Sequence, residues 1–337
     1  DTVRCMCDYV YVDRVVAREQ ITSNLPTASS ALLSVTPVIQ SIDPSSNATM
    51  ERVDEAKISN PVAKSQQGSE EFFPDRELTK YTHTVSWRDE AAKAKSAIQG
   101  LYDFIATFMR SSVQNDLLDM ENIRLAVKPM VDSVIRNPDA CLWSAVMKPE
   151  TISSYDTALR SAVYSCVLGR QLGLPGRDLC SLAIGGMLFD IGKLRLGDDI
   201  LHADRQLTDK EMSIMMRHVE IGLSILQGGG LSDPDIIDFI ANHHERHDGS
   251  GYPQGLAGDL IPVFGRIAGV VDCYNAITSS RRYASTRSPA EAINQLYKLK
   301  GVHFNEDLID EFIQAIGVYP VGAMVELSTG CLLYTSP

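Results

Sequence analysis

A chain of 337 residues with 44% apolar and 22% charged side chains carries enough apolar surface for a substantial core, in one domain with flanks or in two. Its 43 acidic and 31 basic residues leave a formal net charge of -12, which excludes broad attraction to a nucleic-acid polymer or an anionic membrane but leaves room for a local basic pocket that holds phosphate. No apolar run approaches membrane-spanning length and no signal-peptide pattern opens the chain, so the cytoplasm is the expected compartment.

The opening stretch CDYVYVDRVV, residues 7 to 16, alternates and is rich in β-branched and aromatic side chains, which predicts a strand. From about Thr22 to Phe73 the composition shifts to Ser, Thr, Pro, Asn and Gln, the pattern of a linker. Helical periodicity then begins. Ala94, Ile98, Leu101, Tyr102, Ile105 and Phe108 recur at three- and four-residue steps, and Ile123, Val127, Met130, Val131 and Val134 repeat the pattern, with Pro129 as an expected kink. Further helices are predicted over 154–173, 177–190, 208–227, 233–246, 261–279, 289–299 and 306–316, followed by one short strand, AMVELS. So many helices and so little strand predict an all-α domain.

The seven cysteines (Cys5, Cys7, Cys141, Cys166, Cys180, Cys273 and Cys331) are scattered and lack paired metal-site spacing. They are expected as buried thiols in a reducing compartment. Histidine is more informative, because four of the seven (His218, His243, His244 and His247) fall within 30 residues. Adjacent histidines on a helix diverge by roughly 100°, so His243 and His244 can share one cavity only where a helix end meets other helices. Taken alone, such a pair is a polar helix terminus. Asp190 and Asp272 each sit in an apolar helical pattern, where a carboxylate costs several kcal/mol unless it is paired or bound to metal. Salt bridges to Lys193 and Arg266 are the structural alternative. Three imidazoles with two carboxylates favour a metal site, with iron, manganese, nickel and zinc all suited to nitrogen and oxygen ligands. Directly after the histidine pair comes HDGSGYPQGLAGD, whose glycines permit tight turns and close approach to a ligand.

These motifs resemble the HD-GYP domains, bacterial members of the HD phosphohydrolase superfamily that hydrolyse cyclic di-GMP. The resemblance rests on HHERHDGSGYP, FDIGK, LTDKEMSIMMRHVEIGLSIL, RIAGVVDCYNAITSSRRYA and YPVGAMVELSTG, and spans about residues 139 to 330. It implies a multi-helix HD bundle with an amphipathic helical lead-in over 75–138 and a short C-terminal strand. Residues 1–20 resemble the end of an N-terminal regulatory domain, residues 21–74 would be a linker, and the tail at 331–337 is expected outside the domain. On this reading the chain is a truncated copy.

Carried over residue by residue, the family's metal ligands fall on Asp190, His218, His243, His244 and Asp272. Lys193 and Arg281 match its phosphate- and substrate-contacting side chains, with Gly251, Tyr252 and Pro253 at the substrate, and Asp190 and Lys193 as the catalytic pair. The implied ligand is cyclic di-GMP or a related dinucleotide, and signalling proteins or a second copy of the chain are the partners that such a module would take. Four positions depart from the family. Phe189 replaces the histidine of HD, Thr157 falls where an earlier ligand histidine stands, Asn275 replaces a second aspartate, and Ala284 replaces a lysine. In the family the two missing histidines and Asp272 serve one ion, while His218, His243 and His244 serve the other. The expectation is one retained metal position, a dismantled neighbour and weak or absent phosphodiesterase activity. The alternatives are a phosphodiesterase that stays active with its altered site, a non-catalytic module that binds nucleotide or a protein partner, and a purely structural helical protein.

Overall fold

The computed structural model describes residues 72–114, 119–146, 154–201, 203, 205–279 and 288–317, with two strands near the C-terminus. The strand expected at 7–16, most of the linker, Arg281, Ala284, Cys5, Cys7 and Cys331 lie outside the described residues.

The lead-in consists of α1 (Trp87–Gln114) and α2 (Met120–Arg136). The apolar stripes expected from the sequence face inward, with Ala94, Ile98, Leu101 and Ile105 packed against Ile123, Val127 and Val134 in one buried cluster. Asp119 caps α2 by accepting from the backbone N–H groups of Glu121 and Asn122. Pro129, the expected kink, lies on the exposed side of α2, which runs unbroken through it. Glu90, buried on α1, accepts hydrogen bonds from Ser133 Oγ at 2.7 Å and Arg136 Nη2 at 2.6 Å, which locks the two helices together. A short helix absent from the sequence reading, α3 (Pro138–Val146), leads into the domain.

The central helix is α4 (Ser154–Gln171), buried at every residue from Ala158 to Arg170. Against it packs α5 (Gly176–Leu188). The sequence predicted a helix through residue 190, but α5 ends at Leu188, and a 3-10 turn (Ile191–Arg195) follows. Asp190 therefore stands at a helix break and not inside an apolar helix, with φ -98° and ψ 4°.

After α6 (Asp198–Leu201), the single helix expected over 208–227 divides at Arg217 into α7 (Asp209–Met216) and α8 (His218–Gly228). Thr208 is the N-cap, as its sequence position suggests, in a reciprocal capping box with Glu211. The remaining helices are α9 (Pro234–Asn242), α10 (Val263–Thr278), α11 (Pro289–Leu299) and α12 (Glu306–Ile316). At the end of the chain β1 (Met324–Glu326) pairs antiparallel with β2 (Leu332–Tyr334), so part of the tail expected outside the domain supplies the partner of the expected strand.

One buried apolar cluster runs from Phe73 and the lead-in helices to Phe312 and Ile316 on α12. Among the described residues, no helix is long and apolar enough to cross a membrane.

Candidate metal centre

Three element ends converge on the site. The break after α5 brings Asp190, the start of α8 brings His218, and the end of α9 brings His243 and His244. One potential ligand atom from each of these residues lies within 4.8 Å of the others. His243 caps α9, and its ring centroid lies 4.1 Å from that of His244 at an interplanar angle of 43°. The adjacent histidines thus share a cavity for the reason expected: the helix ends there.

The outer nitrogens of two rings are committed. His218 Nδ1 donates to the Met215 carbonyl and His243 Nδ1 to the Ile240 carbonyl, each at 2.7 Å. A carbonyl only accepts, so each ring carries its proton on Nδ1 and leaves Nε2 as a bare lone pair. Those two Nε2 atoms lie 3.2 Å apart. Asp190 Oδ1 stands 3.4 Å from His218 Nε2 and 3.9 Å from His243 Nε2, shielded from solvent and with no hydrogen-bond partner. Three acceptors therefore face one another with no proton among them.

Burial also keeps the imidazoles neutral. It drives His243 down to about 3 against the pull of Asp190, and it lowers His218 in the same way. His244 is depressed by burial and then by the neighbouring rings. Burial opposes ionisation of Asp190, but the carboxyl is held below its ordinary range, with the Lys193 ammonium the largest opposing cause. A divalent cation suits such a donor set, with backbone carbonyls fixing the tautomers from behind.

Asp190 also realises the structural alternative. Its Oδ2 pairs with Lys193 Nζ at 2.6 Å while Oδ1 faces the histidines. The expected partner of Asp272 is different: Arg266 bonds Asp259 at 2.9 Å, and Asp272 Oδ2 lies 3.7 Å from His244 Nδ1. Asp272 thus sits beside His244 and outside the four-residue cluster. Neither carboxylate is as deeply buried as the sequence suggested, with side chains 23% and 18% exposed for Asp190 and Asp272.

Phe189, where the family resemblance asks for a histidine, is 1% exposed. Its ring lies 4.9 Å from that of His243 and 6.4 Å from that of Phe239. Thr157 is half-buried on α4, and its carbonyl accepts from Asn275 Nδ2 at 2.9 Å.

The loop after the histidines folds back over them. Tyr252 stacks on His244 with centroids 4.5 Å apart, its N–H donates to the His244 carbonyl, and the bond to Pro253 is cis. Gly251, expected at the substrate, has another duty. A Cβ there would fall 2.5 Å from Glu245 Cα and overlap the neighbouring backbone, so glycine lets the loop close onto 244–246.

Two further contributors had weaker sequence signals. Glu245 is 3% exposed and accepts the backbone N–H groups of Gln254 at 2.7 Å and Leu256 at 3.0 Å, which anchors the loop. A lone carboxylate between the histidine pair and a glycine-rich turn was the available clue. Gly192 brings the 3-10 turn onto α8, where a Cβ would lie 2.6 Å from Gly222 N and collide with the His218 carbonyl.

With this geometry in place, comparison with known proteins identifies the scaffold. Residues 144–308 match the family model described as HD domain. Through this domain, and with the HHERHDGSGYP loop that follows its histidine pair, the chain belongs to the HD-GYP family. It is 33% identical over 241 residues to a cyclic di-GMP phosphodiesterase of Pseudomonas aeruginosa, covering 72% of this chain and 56% of that protein. It is 35% identical to a cyclic di-GMP phosphodiesterase response regulator of Xanthomonas campestris, over 44% of this chain and 39% of the relative. A 3'3'-cGAMP-specific phosphodiesterase of Vibrio cholerae is 33% identical over 46% of this chain and 30% of its own length. The matched stretches thus span about half or less of these relatives.

Proposed function

We propose that this chain is an HD-GYP-type cyclic-dinucleotide signalling protein with one divalent-metal position and strongly reduced phosphodiesterase activity. The observation that carries the reading is the meeting of His218 Nε2, His243 Nε2 and Asp190 Oδ1, three acceptors that lack a proton between them. His218, His243, His244 and Asp190 would hold the ion, which supplies Lewis-acid stabilisation of a phosphodiester oxygen when bound. Lys193 Nζ uses one contact on Asp190 and keeps further hydrogens to offer a phosphate oxygen. Tyr252 holds His244 by stacking, and Asp272 Oδ2 lies 3.7 Å from Nδ1 of that ring. Arg281 is proposed at the substrate from its place in the family pattern alone.

The substrate class is a cyclic dinucleotide, cyclic di-GMP first, because two of the relatives above are named for it and a third for 3'3'-cGAMP. Losing one of two metal positions removes stabilisation of either the attacking or the leaving oxygen, a cost of several kcal/mol in barrier. Phe189, packed where a ligand histidine is expected, favours as a second reading a module that binds the dinucleotide or a partner protein without cleaving it.

The test is metal analysis of the purified protein together with turnover of cyclic di-GMP and 3'3'-cGAMP. One bound equivalent is expected, with turnover about a thousandfold below a common enzyme rate of about 10 per second. Rapid hydrolysis of either nucleotide would sink the reduced-activity reading, and failure to bind manganese, iron, nickel or zinc would sink the metal centre.

A further inference from the structure

The positions that the family resemblance gives to a second ion do not fit one in this chain. Thr157 and Phe189 stand where two histidines are expected, and Asn275 lies one helical turn beyond Asp272 on α10. Asn275 is 1% exposed and fully engaged. Its Nδ2 donates to the Thr157 carbonyl at 2.9 Å and to Ser161 Oγ at 2.8 Å, while its Oδ1 accepts from Ser279 Oγ at 3.2 Å. The amide orientation follows from chemistry, since the Thr157 carbonyl can only accept. Ser161 is completely buried, and α5 presses on the same turn of α4, where a Cβ at Gly186 would lie 2.6 Å from the Ser161 carbonyl. This segment of α4 is thus pinned by α5 on one side and by Asn275 on the other.

We propose that Asn275 fastens α10 to α4 in place of a second ion and thereby holds that metal position closed. The inference rests on the one-metal reading above and adds a residue to it: Phe189 fills space, whereas Asn275 supplies the bond between helices. A carboxylate at 275 would have no hydrogen for the Thr157 carbonyl and would set two buried acceptors against each other. An amide is suited to a metal-free fastening; a carboxylate is suited to a cation. Restoring the two histidines alone would therefore leave α10 tied to α4 through Asn275.

Four forms of the full chain test this: wild type, Asn275→Asp, Thr157→His with Phe189→His, and all three substitutions together. Manganese stoichiometry is read by equilibrium dialysis, and melting temperature is read with and without chelator. The wild type and the double variant are expected to take one equivalent and the triple variant two. Asn275→Asp alone is expected to lower the metal-free melting temperature by about 4 °C or more, and it keeps the test open if the triple variant does not fold. Two equivalents in the double variant, one in a folded triple variant, or an unchanged metal-free melting temperature in Asn275→Asp would each overturn the proposal. A wild type that binds no manganese while Asn275→Asp still melts early would defeat the one-metal reading but leave the fastening intact.

Discussion

Phe189 shows how one substitution changes what a site needs in order to be stable. A ligand histidine in an apolar pocket leaves a lone pair that requires a cation or a proton, whereas a phenyl ring requires only neighbours. It has them in Phe239 and the edge of His243. Burying such a ring stabilises the fold by roughly 2–3 kcal/mol, and removing it adds the cost of a cavity. Phe189→Ala is therefore expected to lower the metal-free unfolding free energy by about 3–5 kcal/mol, read as a lower urea midpoint at unchanged slope. A loss below about 1 kcal/mol would mean that the pocket collapses freely around the vacated space. Phe189 was legible in the sequence as a departure, but its packing was not, because the partners come from residues 50 and 54 positions away.

The helices carry the site at their ends, and their ends were the least legible part of the sequence. Periodicity places apolar faces and says little about where a helix stops, so Asp190 read as helical and His218 as the middle of a longer helix. In the fold each stands at a break, after α5 and at Arg217. A helix interior would turn these side chains along fixed faces, whereas breaks let three elements deliver four side chains to one point. Residue types and spacing nonetheless picked out the four clustered residues, because a histidine pair beside a glycine-rich loop has few bland explanations. Gly192 was passed over, since its role is contact with a backbone distant in sequence. Gly192→Ala is expected to push the 3-10 turn off α8, where the added carbon meets the His218 carbonyl. Manganese affinity should fall about tenfold or more, equivalent to about 1.4 kcal/mol, while far-ultraviolet circular dichroism stays near that of the wild type. Unaltered affinity in calorimetry would show that the turn does not position Asp190.

Across the molecule, the lead-in and the HD domain are held by more than their shared core. Arg76 bridges Asp178 at the start of α5 and Asp235 at the start of α9, at 2.6 Å to the latter, so it grips the far ends of two helices that deliver site residues. At the other edge, α12 closes on α4 through a partly buried pair: Gln171 Nε2 donates to Glu311 Oε2 at 2.9 Å. Glu311 is 5% exposed, and burial pushes its carboxyl from an ordinary 4.5 up to about 7, with the Gln171 hydrogen bond opposing and Asp310 and Asp307 adding to the rise. The folded chain therefore holds a proton between these two values that the unfolded chain has released. The resulting stabilisation is fully present below about 4.5 and is lost as pH rises to about 7, at up to about 1.4 kcal/mol per unit. Glu311→Gln keeps an amide carbonyl for Gln171 and removes the charge. Denaturation at pH 5 and pH 8 should show the variant more stable than wild type at pH 8 by about 2–3 kcal/mol, with a much smaller difference at pH 5. An equal offset at both values would place the effect in packing, because only an ionisation confined to the folded interior makes the difference grow through that window.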